Sequence, residues 1–162
     1  MNRALSILAV TGALGLATVS PAGLLFDFTI DGAQVPTGSP GTGEGTISLD
    51  PDTGLIILIG EYRDLIYDRT VQHIHGPALP GENAGVIQGI NATGTRSGSL
   101  EIISILSPQA VQWMIEGRTY VNIHSTGYPG GEIRGQIVPE PASLLVLGAG
   151  VALLARRRRH KR

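Results

Sequence analysis

The sequence predicts an all-β domain, a Greek-key sandwich of about eight short antiparallel strands with one short helix near residues 108–116. Three observations predict it. Apolar and polar residues alternate with period two in segment after segment, the spacing of a strand with one face buried. Turn-forming proline, glycine and aspartate separate those segments at regular intervals. The chain has 23 glycines and 10 prolines but few aromatics and a single lysine, Lys161, which suits short strands and tight turns better than a helical bundle. No period of 20 to 50 residues repeats, which argues against a solenoid or propeller.

In chain order, residues 1–22 carry Arg3, an apolar run from Ala4 to Val19 and small residues at Ser20 and Ala22, the three parts of a secretory signal peptide. The body, 23–138, opens with Leu24, Phe26, Phe28 and Ile30 alternating with Asp27, Thr29 and Asp31. Gly32 to Gly43 reads as a loop. Ile47 and Leu49 alternate with Thr46, Ser48 and Asp50, and Pro51-Asp52-Thr53-Gly54 turns the chain into Leu55 to Tyr62, making a hairpin. The unbroken run Leu55 to Ile59 predicts a strand covered on both faces. Val71 to His75 is the next strand, the proline- and glycine-rich stretch 76–85 a loop, and Val86 to Ile90 and Leu100 to Ile105 further strands. Ser107 can cap a helix that Pro108 begins and Gly117 ends, with Ala110, Val111, Met114 and Ile115 apolar and Trp113 packing it over an open end of the sheet. Arg118 to His124 and Glu132 to Val138 complete the strands, the last with Ile133, Gly135 and Ile137 on one face and Arg134 and Gln136 on the other. Glu132 and Arg134 read as cross-strand partners.

Charge narrows the function. Between residues 23 and 138 five arginines face twelve carboxylates, a net charge of −7, while six of the last seven residues are basic. An acidic body without lysine cannot neutralise a phosphate backbone, which excludes nucleic acid as a partner. With no cysteine, neither a disulfide framework nor a thiolate metal site can form.

The residues with the most chemistry are histidines. Alternation puts His73 and His75 on one face of their strand with Ile74 on the other, and puts Asn122 and His124 opposite Val121 and Ile123. Three imidazoles on outward faces can hold one copper or zinc ion with a position left open, and Asp68 or Glu82 could supply a further ligand. They can equally hydrogen-bond to loop carbonyls, Arg134 or Asn122 and pin the loops to the sheet. No Gly-x-Ser-x-Gly motif, Ser/His/Asp set or carboxylate pair at a telling spacing points to a catalytic residue.

Five stretches in order, Gly32-Ala33-Gln34-Val35-Pro36, Gly43-Glu44-Gly45, His73-Ile74-His75-Gly76-Pro77-Ala78, Tyr120-Val121-Asn122-Ile123-His124 and Gly130-Gly131-Glu132-Ile133-Arg134-Gly135-Gln136-Ile137, make the body resemble a CHRD domain. That module is named after chordin and also occurs in bacterial secreted proteins. The resemblance implies an immunoglobulin-like β-barrel distantly similar to copper/zinc superoxide dismutases. In those enzymes a His-x-His strand and a later strand supply copper ligands and an arginine near the end guides the anion. The counterparts here are His73, His75, His124 and Arg134, with Asn122 adjacent. The pattern departs from the enzymes at the bridging histidine, the His-rich zinc loop and the disulfide, so it implies a single metal at most.

The segment 139–162 carries a second resemblance. Val138-Pro139-Glu140-Pro141, the apolar run Ala142 to Ala155, and the basic cluster with Arg156, Arg157, Arg158 and Arg159 are similar to a PEP-CTERM sorting signal. This implies recognition of Pro139, Glu140 and Pro141 by an exosortase in the inner membrane of an exopolysaccharide-making bacterium, then delivery to the surface or matrix. Fourteen helical residues reach only about 21 Å, short of a ~30 Å hydrocarbon core, which suits a transient anchor with its arginines held in the cytoplasm.

Two readings of function follow. In the first the body is a non-catalytic surface or matrix module that binds exopolysaccharide, surface proteins or itself and needs no cofactor. In the second it holds copper or zinc at His73, His75 and His124. Convergence of the three rings on one point separates them.

Overall fold

The computed structural model describes residues 23–140; the predicted signal peptide and the sorting segment from Pro141 onward lie outside the described residues. Nine strands and one helix form in the order β1 (Leu24–Asp31), β2 (Thr42–Leu49), β3 (Leu55–Arg63), β4 (Arg69–His75), β5 (Val86–Gly89), β6 (Asn91–Ala92), β7 (Gly98–Ile105), α1 (Pro108–Ile115), β8 (Tyr120–Ser125) and β9 (Ile133–Pro139). All the pairings are antiparallel, in one sheet of order β5-β4-β8-β9-β1-β2-β3-β7-β6. Its two outermost strands are successive pieces of one run. Residues 86–89 pair with β4, residues 91–92 pair with β7, and Ile90 between them donates its N–H to Gln72 O at 3.0 Å. The sheet therefore nearly closes on itself into a barrel, which leaves almost no free edge to recruit another chain.

Alternation fills the barrel. Phe26, Phe28 and Ile30 of β1, Ile47 and Leu49 of β2, Ile56 and Leu58 of β3 and Val121 and Ile123 of β8 are all buried in one core. The Phe28 ring lies where a Cβ on Gly45 or Gly60 would stand, which fixes small residues at those two paired positions. The hairpin turn forms as expected: Asp50 Oδ1 accepts from Asp52 N and Thr53 N, and Gly54, at φ +76°, donates to Asp50 O. At the helix, Ser107 Oγ accepts from Ala110 N at 3.2 Å, Pro108 opens the first turn and Gly117, at φ +69°, ends it. Ala110, Val111 and Met114 enter the core, with Trp113 packed beside them.

Two expectations about side chains are corrected. The run Leu55 to Ile59 is not covered on both faces: Ile56 and Leu58 are buried while Leu55, Ile57 and Ile59 point outward into solvent. A continuous apolar run reports composition, and the pleat still exposes every second residue. Glu132 and Arg134 are not cross-strand partners either. Glu132, just before β9, is fully buried and accepts from Ser39 Oγ at 2.7 Å, Ile66 N at 2.6 Å and Tyr67 N at 3.4 Å, so it ties two loops together. Burial pushes its pKa up, but the donors around it, Ser125 and Ser39 foremost, outweigh that and hold it below the ordinary carboxylate value.

Candidate metal centre

The polar face of β4, β8 and β9 assembles the histidines. His73 stands opposite Asn122, His75 opposite Tyr120, and Asn122 in turn opposite Arg134. Residues directly opposite in an antiparallel pair share a face. His73, His75, Tyr120, Asn122, His124 and Arg134 therefore look the same way, while Ile74, Val121 and Ile123 look into the core.

That face is not open to solvent as the sequence suggested. His75 is 7% exposed, His124 9%, Asn122 3% and Arg134 1%, while His73 is partly exposed. Two loops cover it. The first, 76–85, is held from beneath: Arg134 donates to Glu82 O at 2.9 Å and to Asn83 Oδ1 at 3.2 Å, Gln136 Nε2 donates to Ala78 O, and Tyr120 OH accepts from Ala84 N at 3.1 Å. The second, 126–131, is held by Asn122 Nδ2 donating to Gly130 O at 3.1 Å. Gly131 adopts φ +126° there, where a Cβ would run into the Asn122 side chain.

Loop carbonyls also set the histidine tautomers. His75 Nδ1 lies 3.0 Å from Ala84 O and His124 Nδ1 2.7 Å from Pro129 O. A carbonyl can only accept, so both rings carry a proton on Nδ1 and turn Nε2 away from the loop. His75 Nε2 and His73 Nδ1 are buried without a protein hydrogen-bond partner. The Asn122 amide reaches His124 Nε2 only at 3.5 Å, the weak end of hydrogen-bond range.

The three rings form a near-equilateral triangle, with centroids 5.5 Å (His73 to His75), 5.3 Å (His73 to His124) and 5.6 Å (His75 to His124) apart and mutual tilts of 78°, 62° and 49°. One nitrogen from each lies within 4.8 Å of the others. The nitrogens of imidazoles sharing one tetrahedral ion at about 2.1 Å stand about 3.4 Å apart. To share one ion the nitrogens draw together by up to about 1.4 Å, and His73, whose Nδ1 no bond restrains, is the ring free to turn. Burial lowers the pKa of His73, as does charge on His124; burial likewise lowers that of His75, against the Ala84 carbonyl and with help from His124, His73 and Arg134. Both rings are neutral at pH 7, the state a metal ligand requires.

The remaining expected residues are placed elsewhere. Asp68 is exposed and pairs with Arg96 at 2.8 Å, and Glu82 accepts from Leu79 N at 3.0 Å, so neither carboxylate joins the cluster. Arg134 is committed to the loop and to the Tyr120 ring, with its guanidinium carbon 3.6 Å from the ring centroid. Tyr120 had been given no role. It stacks on His75 at 5.0 Å with an interplanar angle of 8°, so it sandwiches between His75 and Arg134. Its place two residues before Asn122 on the same face was the signal that could have found it.

A family model, the CHRD domain, matches residues 26–137, and a second, the PEP-CTERM protein-sorting motif, matches 138–159. A sorting motif of this kind implies export, transient membrane anchoring and processing by an exosortase. No curated protein and no solved structure matches the chain.

Proposed function

Because this chain belongs to the CHRD domain family and ends in a PEP-CTERM sorting motif, we propose that it is an exported bacterial surface or matrix module holding one copper or zinc ion between His73, His75 and His124. The observation that carries the metal reading is the clustering of three rings, two of them fixed through Nδ1 by backbone carbonyls so that Nε2 faces away from the loop. Carbonyl-bound Nδ1–H groups are the usual outer support of a metal-ligating histidine, since they set tautomer and ring orientation before the ion arrives. Pinning alone accounts for one nitrogen of His75 and one of His124, and would not require His73 to join them.

The chain's own residues divide the work. His75 and His124 present lone pairs from rigid positions, and His73 closes the set from the half-exposed side. Tyr120 and Arg134 hold His75 and the covering loop, which limits water at the cluster. When bound, such an ion supplies a Lewis-acidic centre with a coordination position beyond its three protein ligands. The module itself is read as a binding and structural one, with exopolysaccharide and surface proteins as its neighbours after sorting.

Metal analysis of the purified chain tests this. One copper or zinc per chain is expected, lost when any of His73, His75 or His124 is changed to alanine. A chain that takes up no stoichiometric metal, or a triple variant that keeps it, overturns the proposal. For the destination, replacing Pro139-Glu140-Pro141 by alanines should shift the protein between membrane and surface fractions, and an unchanged distribution refutes it.

A further inference from the structure

The outer face of the barrel carries one apolar block. Leu55, Ile57 and Ile59 point outward from β3 with exposures of 38, 40 and 65%, and Ile103 and Ile105 from β7 with 78 and 71%. In the register Leu55 stands opposite Ile105 and Ile57 opposite Ile103, so the five side chains are contiguous. Along β3 the block runs about 13 Å at roughly 3.3 Å per residue. Glu101 of β7, opposite Ile59, bounds the block, and farther along the same strands the outward residues are charged or polar: Glu61 and Arg63 on β3, Ser99 on β7, and Glu44 of β2 opposite Glu61. The boundary therefore runs across the strands.

The apolar half lies toward the end where the chain leaves the barrel. Pairing sets Leu24 beside Leu49, Leu49 beside Ile56, Leu55 beside Ile105 and Phe26 beside Pro139. The start of β3, the finish of β7 and the finish of β9 thus share one end. Beyond β9, Glu140 and Pro141 alone precede the apolar run that begins at Ala142. So short a connection spans at most about 10 Å. With the run in a bilayer, this end of the barrel stands against the lipid surface. In the nearly closed sheet β3 and β7 lie three and four strands from β9, on the wall across the barrel from it, with Leu55 and Ile105 at the rim nearest the lipid. A barrel tipped toward that wall brings Leu55 and Ile105, then Ile57 and Ile103, to the acyl boundary.

We infer that the β3–β7 face is a lipid-contact surface, laid on the outer leaflet of the inner membrane while the sorting segment anchors the chain. The inference rests on reading that segment as an anchor. Charge sets the mode of contact. A body carrying −7 is repelled by anionic lipid, so the attraction is apolar, and the carboxylates of Glu44, Glu61 and Glu101 stay raised in water. Contiguous exposed apolar patches on a soluble surface mark such contacts.

The chain has no cysteine, so single nitroxide labels can be placed at will. The full chain in vesicles of phosphatidylethanolamine and phosphatidylglycerol is labelled as Ile57→Cys, Ile103→Cys, Thr29→Cys, Glu61→Cys or Val146→Cys. Labels at 57 and 103 should be relaxed by oxygen several-fold more, relative to a water-soluble nickel chelate, than labels at 29 and 61. Equal nickel access at all four positions, with the label at 146 in lipid, overturns the lipid contact and leaves the anchor standing. Dipolar broadening at 57 and 103 that vanishes on dilution with unlabelled protein means that a second copy covers the face, and also overturns it. A label at 146 in water removes the anchor and this inference with it.

Discussion

Lowering the pH of the metal-free protein should weaken it before its carboxylates begin to titrate. His75 is buried and His73 partly buried, and both are held below the ordinary histidine value of 6.5, whereas in the unfolded chain each binds a proton near that value. As the pH falls through 6.5 the unfolded chain takes up protons that the folded chain refuses, so stability falls with the pH, and the decline ends once the folded rings also titrate. Each histidine contributes at most about 1.4 kcal/mol per pH unit in that window. His75, 7% exposed, gives the larger share, and the less buried His73 is screened by solvent and gives less. Urea midpoints measured from about pH 8 to about pH 5 give the slope directly, since stability is linear in denaturant. His75→Gln keeps an N–H for the Ala84 carbonyl but does not titrate, and it should remove most of the slope. Saturating zinc at about 100 times its dissociation constant should add about 2.7 kcal/mol near neutrality. That increment should fade through the same acidic window, because protons compete for the same lone pairs. A midpoint that stays flat between about pH 7 and pH 5.5, or a slope unchanged in His75→Gln, refutes the account of buried neutral rings.

Two further perturbations test the scaffold that holds the rings. Glu132→Gln replaces a carboxylate that accepts from Ser39, Ile66 and Tyr67 with an amide that sets donor against donor at one oxygen, and should cost about 1–3 kcal/mol in urea denaturation. Its lowered pKa also means that the stability it contributes in the wild type is present above the ordinary value of 4.5 and lost below it, a window distinct from that of the histidines. Gly131→Ala forces a Cβ into Asn122 at φ +126° and should cost about 1–3 kcal/mol by thermal melting, with faster amide exchange in residues 126–131 as its local sign.

The fold was legible because its signals are local. Leu24 to Asp31 alternate without a break apart from Leu25, the Asp50 to Gly54 turn carries its own hydrogen-bonding side chains, and Ser107, Pro108 and Gly117 bracket the helix where the structure has it. Closure of the barrel was not legible. It depends on residues 86–92 changing partner from β4 to β7 at Ile90, and nothing in that run's pattern says which strand it meets. Nor could hydropathy tell that Leu55, Ile57 and Ile59 face outward, since an apolar run looks alike whether its second face is covered by protein or left for another surface.

The histidine cluster divides in the same way. Period two put His73 and His75 on one face and His124 on the matching face of its own strand, and the register needed to bring those faces together is a tertiary fact supplied by pairing His73 with Asn122. Burial was the part that sequence pattern reversed. Polar residues on the outward side of a strand ordinarily meet water, yet here the loops 76–85 and 126–131 fold back over them, and the polarity of the face is what holds the loops down through Arg134, Gln136, Tyr120 and Asn122. Pinning the loops and the proposed metal site would then be one arrangement, because each loop carbonyl that accepts the Nδ1–H hydrogen bond turns Nε2 of that ring toward the other two.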